Sequence, residues 1–182
     1  MGAEYGLLKS ACYGLKQYYS GATECEKIIV RRAGFSAIAG ALSGIPGAGG
    51  AIAMAAASGI VISMYISINK RLGIKLSEAF LKGFLAILVA EVGAYIGVAV
   101  VEGVISLIPG PGTIISIVSG VAAQFIFTYI SGYIYIQFLV KALKAKVDIE
   151  KLSKEEVQQF VKKTVEETDF DKLKEEAKNR QK

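Results

Sequence analysis

Two long stretches of this chain carry no charged side chain. Residues 33–69 have none, and residues 103–140 have none. Between Lys82 and Lys141 the only charges are Glu91 and Glu102. A helix in water needs a polar face and seldom runs so far without a charge. A helix in hydrocarbon has no such need, and about 20 apolar residues cross a bilayer. The pattern therefore predicts an all-α integral membrane protein. The alternative is a soluble helical bundle with unusually apolar inner helices.

The two stretches repeat each other at an offset of about 63 residues. Ser43-Gly44-Ile45-Pro46-Gly47-Ala48-Gly49 falls on Ser106-Leu107-Ile108-Pro109-Gly110-Pro111-Gly112. Gly40 falls on Gly103, and Gly34 on Gly97. Proline ends a helix and restricts the residue before it, while the glycines that follow permit positive φ. Each copy thus reads helix, tight turn, helix. The hairpin tips are Pro46, Gly47, Gly49 and Pro109, Gly110, Pro111, Gly112.

The expected organisation is a peripheral amphipathic segment over 1–24, a membrane domain over 25–147 and a cytoplasmic amphipathic helical tail over 148–182. The membrane domain holds two duplicated hairpins, 25–72 and 77–146. Their helices are expected over about 25–44, 49–71, 77–107 and 112–146. Ser77 is the expected cap of the third. In the tail, Ser153-x-x-Glu156 is a capping box. Thr168 or Asp169 can cap a further short helix, with Leu173 and Ala177 on one face.

All 21 Lys and Arg fall in three blocks, Lys9 to Arg32, Lys70 to Lys82 and Lys141 to Lys182. These are the open ends of the hairpins, and neither turn bears a charge. The bias predicts both termini on the cytoplasmic side, with Arg31, Arg32, Lys70, Arg71, Lys141 and Lys144 at the interface. The first helix is short of apolar length beyond Arg32. Its arginines extend it by snorkelling, or the first hairpin is re-entrant. The net charge of +5 then marks topology rather than nucleic-acid binding.

Glu91 and Glu102 are the intramembrane ionisable candidates. Eleven residues apart, they return to nearly the same helix face. They line a pathway or oligomer seam, or they are hydrogen-bonded carboxyls at the border. Gly93-x-x-x-Gly97, extended by Gly103, and Gly40-x-x-x-Gly44 offer small-residue faces for helix packing or self-association. The aromatic side chains from Phe125 to Phe138 read as interfacial anchors. Those of the N-terminal segment suit a helix lying on the bilayer.

Catalysis has little chemistry to use. There is no His. Cys12 and Cys25 alone make no metal site. The Gly-rich turns lack the Lys-Ser/Thr of a phosphate loop. No cofactor, metal or catalytic residue is expected, and no removable signal peptide precedes the first helix.

The segment Ala39-Gly40-Ala41-Leu42-Ser43-Gly44-Ile45-Pro46-Gly47, the Lys70-Arg71-Leu72-Gly73 end of the second helix, and Ile108-Pro109-Gly110 with Gly120 resemble a bacterial family of uncharacterised membrane domains. Such domains are often found C-terminal to Era-like or dynamin-like GTPase domains. The resemblance covers about 27–145 and transfers no catalytic residue. It implies membrane attachment or remodelling at a bacterial inner membrane, with a separate GTPase as partner. The function expected is a non-enzymatic membrane protein that inserts two hairpins and self-associates to anchor or shape the bilayer. The competing expectation is a pore-forming or channel-like toxin or effector with Glu91 and Glu102 along the pathway.

Overall fold

The computed structural model describes residues 6–41, 49–105 and 112–181, with side chains over 6–41, 56–92 and 121–181. The described residues form seven α-helices and no strand. These are α1 (Leu7–Lys16), α2 (Cys25–Gly40), α3 (Gly49–Leu72), α4 (Glu78–Ile105), α5 (Gly112–Lys144), α6 (Lys154–Glu166) and α7 (Phe170–Gln181). Short 3-10 turns precede α2 and α6.

Local chemistry sets the ends of these helices. Gly73, at φ +73, follows α3 in the left-handed conformation. The Ile74 amide then returns to the Asn69 carbonyl at 2.9 Å and closes a Schellman motif. Ser77 starts α4 as expected, with its Oγ accepting from the Phe80 amide at 3.1 Å. The Ser153–Glu156 capping box closes in both directions. Asp169, rather than Thr168, caps α7 through the Lys172 amide at 3.0 Å. The turns at Pro46, Gly47, Pro109, Gly110 and Pro111 lie outside the described residues, as does Gly44. Gly49 and Gly112 begin α3 and α5.

Helix α5 is the axis of the molecule. Each of the other six helices packs against it. Its Val121–Lys144 portion is long and apolar enough to cross a membrane by length and composition. It is the one such helix among the described residues, yet 78% of its most apolar window is buried inside the protein. That burial locates the core. Tyr65 of α3 stacks on Tyr135 of α5 at 4.3 Å between centroids. Phe84 of α4 meets both edge-on, at 5.5 and 5.1 Å. Phe138 and Phe160 extend the cluster to α6. The hydroxyls of the two stacked tyrosines are satisfied in place, whereas the buried Ser36 Oγ and Thr128 Oγ1 have no partner among the described residues. Tyr65 shares a 2.5 Å hydrogen bond with Ser131, and the Tyr135 hydroxyl donates to Asn69 Oδ1 at 2.6 Å. The expectation that Phe125 to Phe138 anchor at a lipid headgroup layer is thus corrected. Phe125, Tyr129, Tyr133, Tyr135 and Phe138 are buried, and Phe127 packs against the same core.

The N-terminal helix is also placed differently. Leu8, Ala11, Cys12 and Leu15 form its apolar face, and all four are buried in the core shared with α5. Protein covers the face that a bilayer was expected to cover.

Helices α2 and α5 approach closely at Gly132. A Cβ at Gly132 would lie 2.7 Å from two side-chain carbons of the fully buried Ile29. The glycine therefore sets the separation of the two helices. Gly132→Ala is expected to cost about 1–3 kcal/mol through overpacking. In a double-mutant cycle followed by chemical denaturation, Ile29→Val should recover part of that loss. Additive costs would show that the contact does not set the spacing.

Candidate membrane border

The outer face of α2 changes character along its length. Its exposed positions are Lys27, Arg31, Phe35 and Ile38, then Ala41 just past its end. Their spacing of three or four residues puts them on one face. Two cations come first, and Arg31 lies over the Phe35 ring at 5.6 Å. Phe35 is 42% exposed and Ile38, a turn further toward the hairpin tip, 71% exposed. Neighbouring helices repeat the gradient. On α4 the exposed positions include Glu78 and Lys82 at the base and Ala86 and Val89 further up, beside Ala79, Gly83 and Ala90. On α3, Lys70 and Arg71 are exposed at the base, and Ile66 is 44% exposed a turn above them.

The opposite side of the bundle has a polar coat. Helices α1, α6 and α7 bury their apolar stripes against α5 and turn Lys, Glu and Gln outward. One carboxylate ties the two chain ends together. Glu176 of α7 accepts from the Leu7 amide at 2.6 Å, the Leu8 amide at 3.4 Å and the Tyr129 hydroxyl at 2.7 Å. It supplies the N-terminal cap that Gly6 cannot, and an anion is stabilised there by the unpaired amides and the helix dipole. A Cβ on Gly6 would sit 2.4 Å from Glu176 Oε1, so the glycine makes room for the carboxylate. Arg180 pairs with Glu26, and Lys141 with Glu167 at 2.6 Å.

This arrangement relocates several predicted residues. Glu91 is half-buried, and its Oε1 accepts from Gln158 Nε2 of α6 at 3.1 Å. The carboxylate thus faces the charged amphipathic helix α6. Arg32 does not snorkel outward. It donates to Ser67 Oγ at 3.2 Å between α2 and α3. Arg71 pairs with Glu24, while Lys70 and Lys144 are exposed. Gly40 is buried at the end of α2. Gly93, Gly97 and Gly103 lie on α4, but their surroundings and the Glu102 side chain are outside the described residues.

Sequence reasoning missed Gly6, Gly132 and Glu176. Leu7 and Glu176 meet across 169 positions of chain, with Gly6 beside them, and no local pattern marks such a contact. Gly132 follows Thr128 at a small-xxx-small spacing, a pattern too common in this chain to single it out. No group of His, Cys, Asp and Glu among the described residues could hold a metal ion. Both cysteines are free and buried, and burial pushes the Cys25 thiol up to about 12 and that of Cys12 higher still. Neither is a thiolate near neutral pH, so neither is poised as a nucleophile.

Two outcomes follow from this geometry. Hydrogen bonds and the adjacent Lys141 hold the Glu167 carboxyl below its ordinary range, and the capping box does the same for Glu156. A depressed folded-state pKa stabilises above the unfolded value, near 4.5, and that contribution is lost as pH falls through the folded value. The α6 amide signals in NMR should therefore begin to lose dispersion below about pH 4.5 before those of α5 do, the opposite order ruling this out. Ile38→Asp should leave thermal stability unchanged, because the side chain is already exposed. It should weaken partition into liposomes by roughly tenfold, a cost near 1.4 kcal/mol for a carboxylate at the border. Unchanged partition would remove Ile38 from the contact.

Compared with family models, with curated proteins and with solved structures, the chain matches none.

Proposed function

We propose that this chain is a non-enzymatic membrane protein that drives two helical hairpin tips into a bilayer from a protein-wrapped helical base. The reading rests most on one observation: the exposed face of α2 passes from Lys27 and Arg31 through Phe35 to Ile38 in the direction of its hairpin tip. Cations prefer headgroups, aromatic rings the interface and aliphatic side chains the hydrocarbon. The passage from charged to aliphatic exposed side chains on α3 and α4 supports a single border around the bundle.

Lengths favour partial insertion. Past Glu91, α4 continues as helix to Ile105 and α5 begins at Gly112. At 1.5 Å per residue the arm beyond Glu91 reaches about 20 Å, short of the roughly 30 Å hydrocarbon core. A hairpin of that depth occupies one leaflet more than the other and acts as a wedge. The cations stand on the base, so the base and both termini are cytoplasmic in this reading, at a bacterial inner membrane. The resemblance to GTPase-associated domains adds self-association and a separate GTPase partner. The pore reading has less support, because Glu91 is engaged by Gln158 rather than directed to a lumen.

Impermeant-maleimide labelling of cells or oriented liposomes tests the topology. The native thiols are buried and protonated, so an added cysteine reports alone. Gly110→Cys should resist reagent supplied from the far side, whereas Tyr13→Cys, at an exposed base position, should react only from the cytoplasmic side. Far-side labelling of position 110 would mean full crossing. Failure of the wild-type chain to float with liposomes would end the membrane reading altogether.

A further inference from the structure

Helices α3 and α4 do not close against each other along their whole length. They leave an open groove of about 370 Å³, lined by Ser58, Gly59, Ile62, Ser63 and Ile66 on one side and Glu78, Lys82 and Leu85 on the other. The cause is residue size. A Cβ built on Gly59 would meet nothing within 4 Å. Ile62, Ile66 and Leu85 form apolar walls. The Ser63 hydroxyl is already committed to the Ile60 carbonyl at 2.8 Å, so it adds little polarity. One end of the groove lies at the base and holds an opposite-charge pair, Glu78 and Lys82 at 2.7 Å. The other end, at Ser58 and Gly59, points along the hairpin toward its tip.

We propose that this groove holds one zwitterionic glycerophospholipid, its ammonium facing Glu78, its phosphate facing Lys82 and an acyl chain running past Leu85 and Ile62 to Gly59. The proposal rests on the membrane reading above and names the lipid class at that border. Charge complementarity selects the occupant. A headgroup carrying both signs satisfies both side chains, whereas an anionic headgroup meets the Glu78 carboxylate. The Glu78–Lys82 pair is exposed and spaced i,i+4, so it opens readily for a headgroup. The groove's volume takes part of one acyl chain, and the rest of the lipid stays in the bilayer. Ile66, exposed at the same border, is itself one of the groove's walls.

The test uses delipidated full-length protein in mild detergent, titrated with pyrene-acyl phosphatidylethanolamine, with pyrene-acyl phosphatidylglycerol, and with inorganic phosphate as competitor. Saturable binding of about one phosphatidylethanolamine per chain, not displaced by phosphate, is expected. Gly59→Leu fills open space, so it should fold normally by circular dichroism. It should weaken binding by about tenfold, the worth of one or two displaced methylenes. Glu78→Lys, at an exposed position, should shift preference toward phosphatidylglycerol. Non-saturable binding, equal binding by a folded Gly59→Leu protein, or indifference of headgroup choice to Glu78→Lys would each overturn the site. So would efficient disulfide dimerisation of Gly59→Cys, because a second copy would then occupy the groove. Liposome flotation separates this site from the membrane reading. A Gly59→Leu protein that floats but still binds lipid as wild type sinks the groove alone. A wild-type protein that binds the lipid but does not float sinks the insertion alone.

Discussion

The free energy of this fold turns on what covers α5. It runs from Gly112 to Lys144 and carries no charge before Lys141. Water cannot be its solvent over that length, since each exposed large apolar side chain forgoes about 1.5–3 kcal/mol of burial. Protein covers the portion from Val121 onward, and the shell is built from both ends of the chain. Because α5 is the common neighbour, the placement of every other helix follows from its burial. Gly132 brings α2 in close, and the stacked Tyr65, Phe84 and Tyr135 hold α3 and α4. The amphipathic α1, α6 and α7 fill the remaining perimeter.

The shell needs a fastening, and Glu176 provides one that serves three groups at once. Its carboxylate satisfies two amides at the start of α1 and the hydroxyl of Tyr129 in the core. Hydrogen bonds to a charged acceptor are worth about 1.5–3 kcal/mol each, well above an exposed ion pair such as Arg180–Glu26. The contact is also a placement marker. The polar α7 reaches the level of Tyr129, so α5 meets protein and water there. In the membrane reading, hydrocarbon begins further up the hairpin.

That displacement of the border changes the mechanical picture. Four long helices crossing a bilayer would anchor a protein without bending its surroundings. Short tips rising from a broad base displace lipid mainly on the side they enter. The gradient on α2, from Lys27 to Ile38, would set the depth of entry. The α3–α4 groove would let one lipid continue the headgroup layer into the side of the base. In the membrane reading the base, with its charged coat, would stay outside the bilayer.

Much of the local plan was legible in the residues. Helix content followed from Pro and Gly positions and from the absence of strand signals. The Ser77 cap, the Ser153–Glu156 box and the buried stripe of Leu173 and Ala177 are decided within a turn or two of chain, where short-range hydrogen bonds dominate. Hydropathy determined that something must shield residues 33–69 and 103–140 from water. It did not distinguish lipid from protein as the shield, because both offer an apolar surface. Only the tertiary structure decided that for Val121–Lys144, by bringing α1, α6 and α7 around α5. The same long-range packing took Tyr135 from a headgroup layer into the core and set Glu91 against Gln158. Contacts between residues far apart in the chain depend on how whole helices pack, and no local window of sequence holds that information.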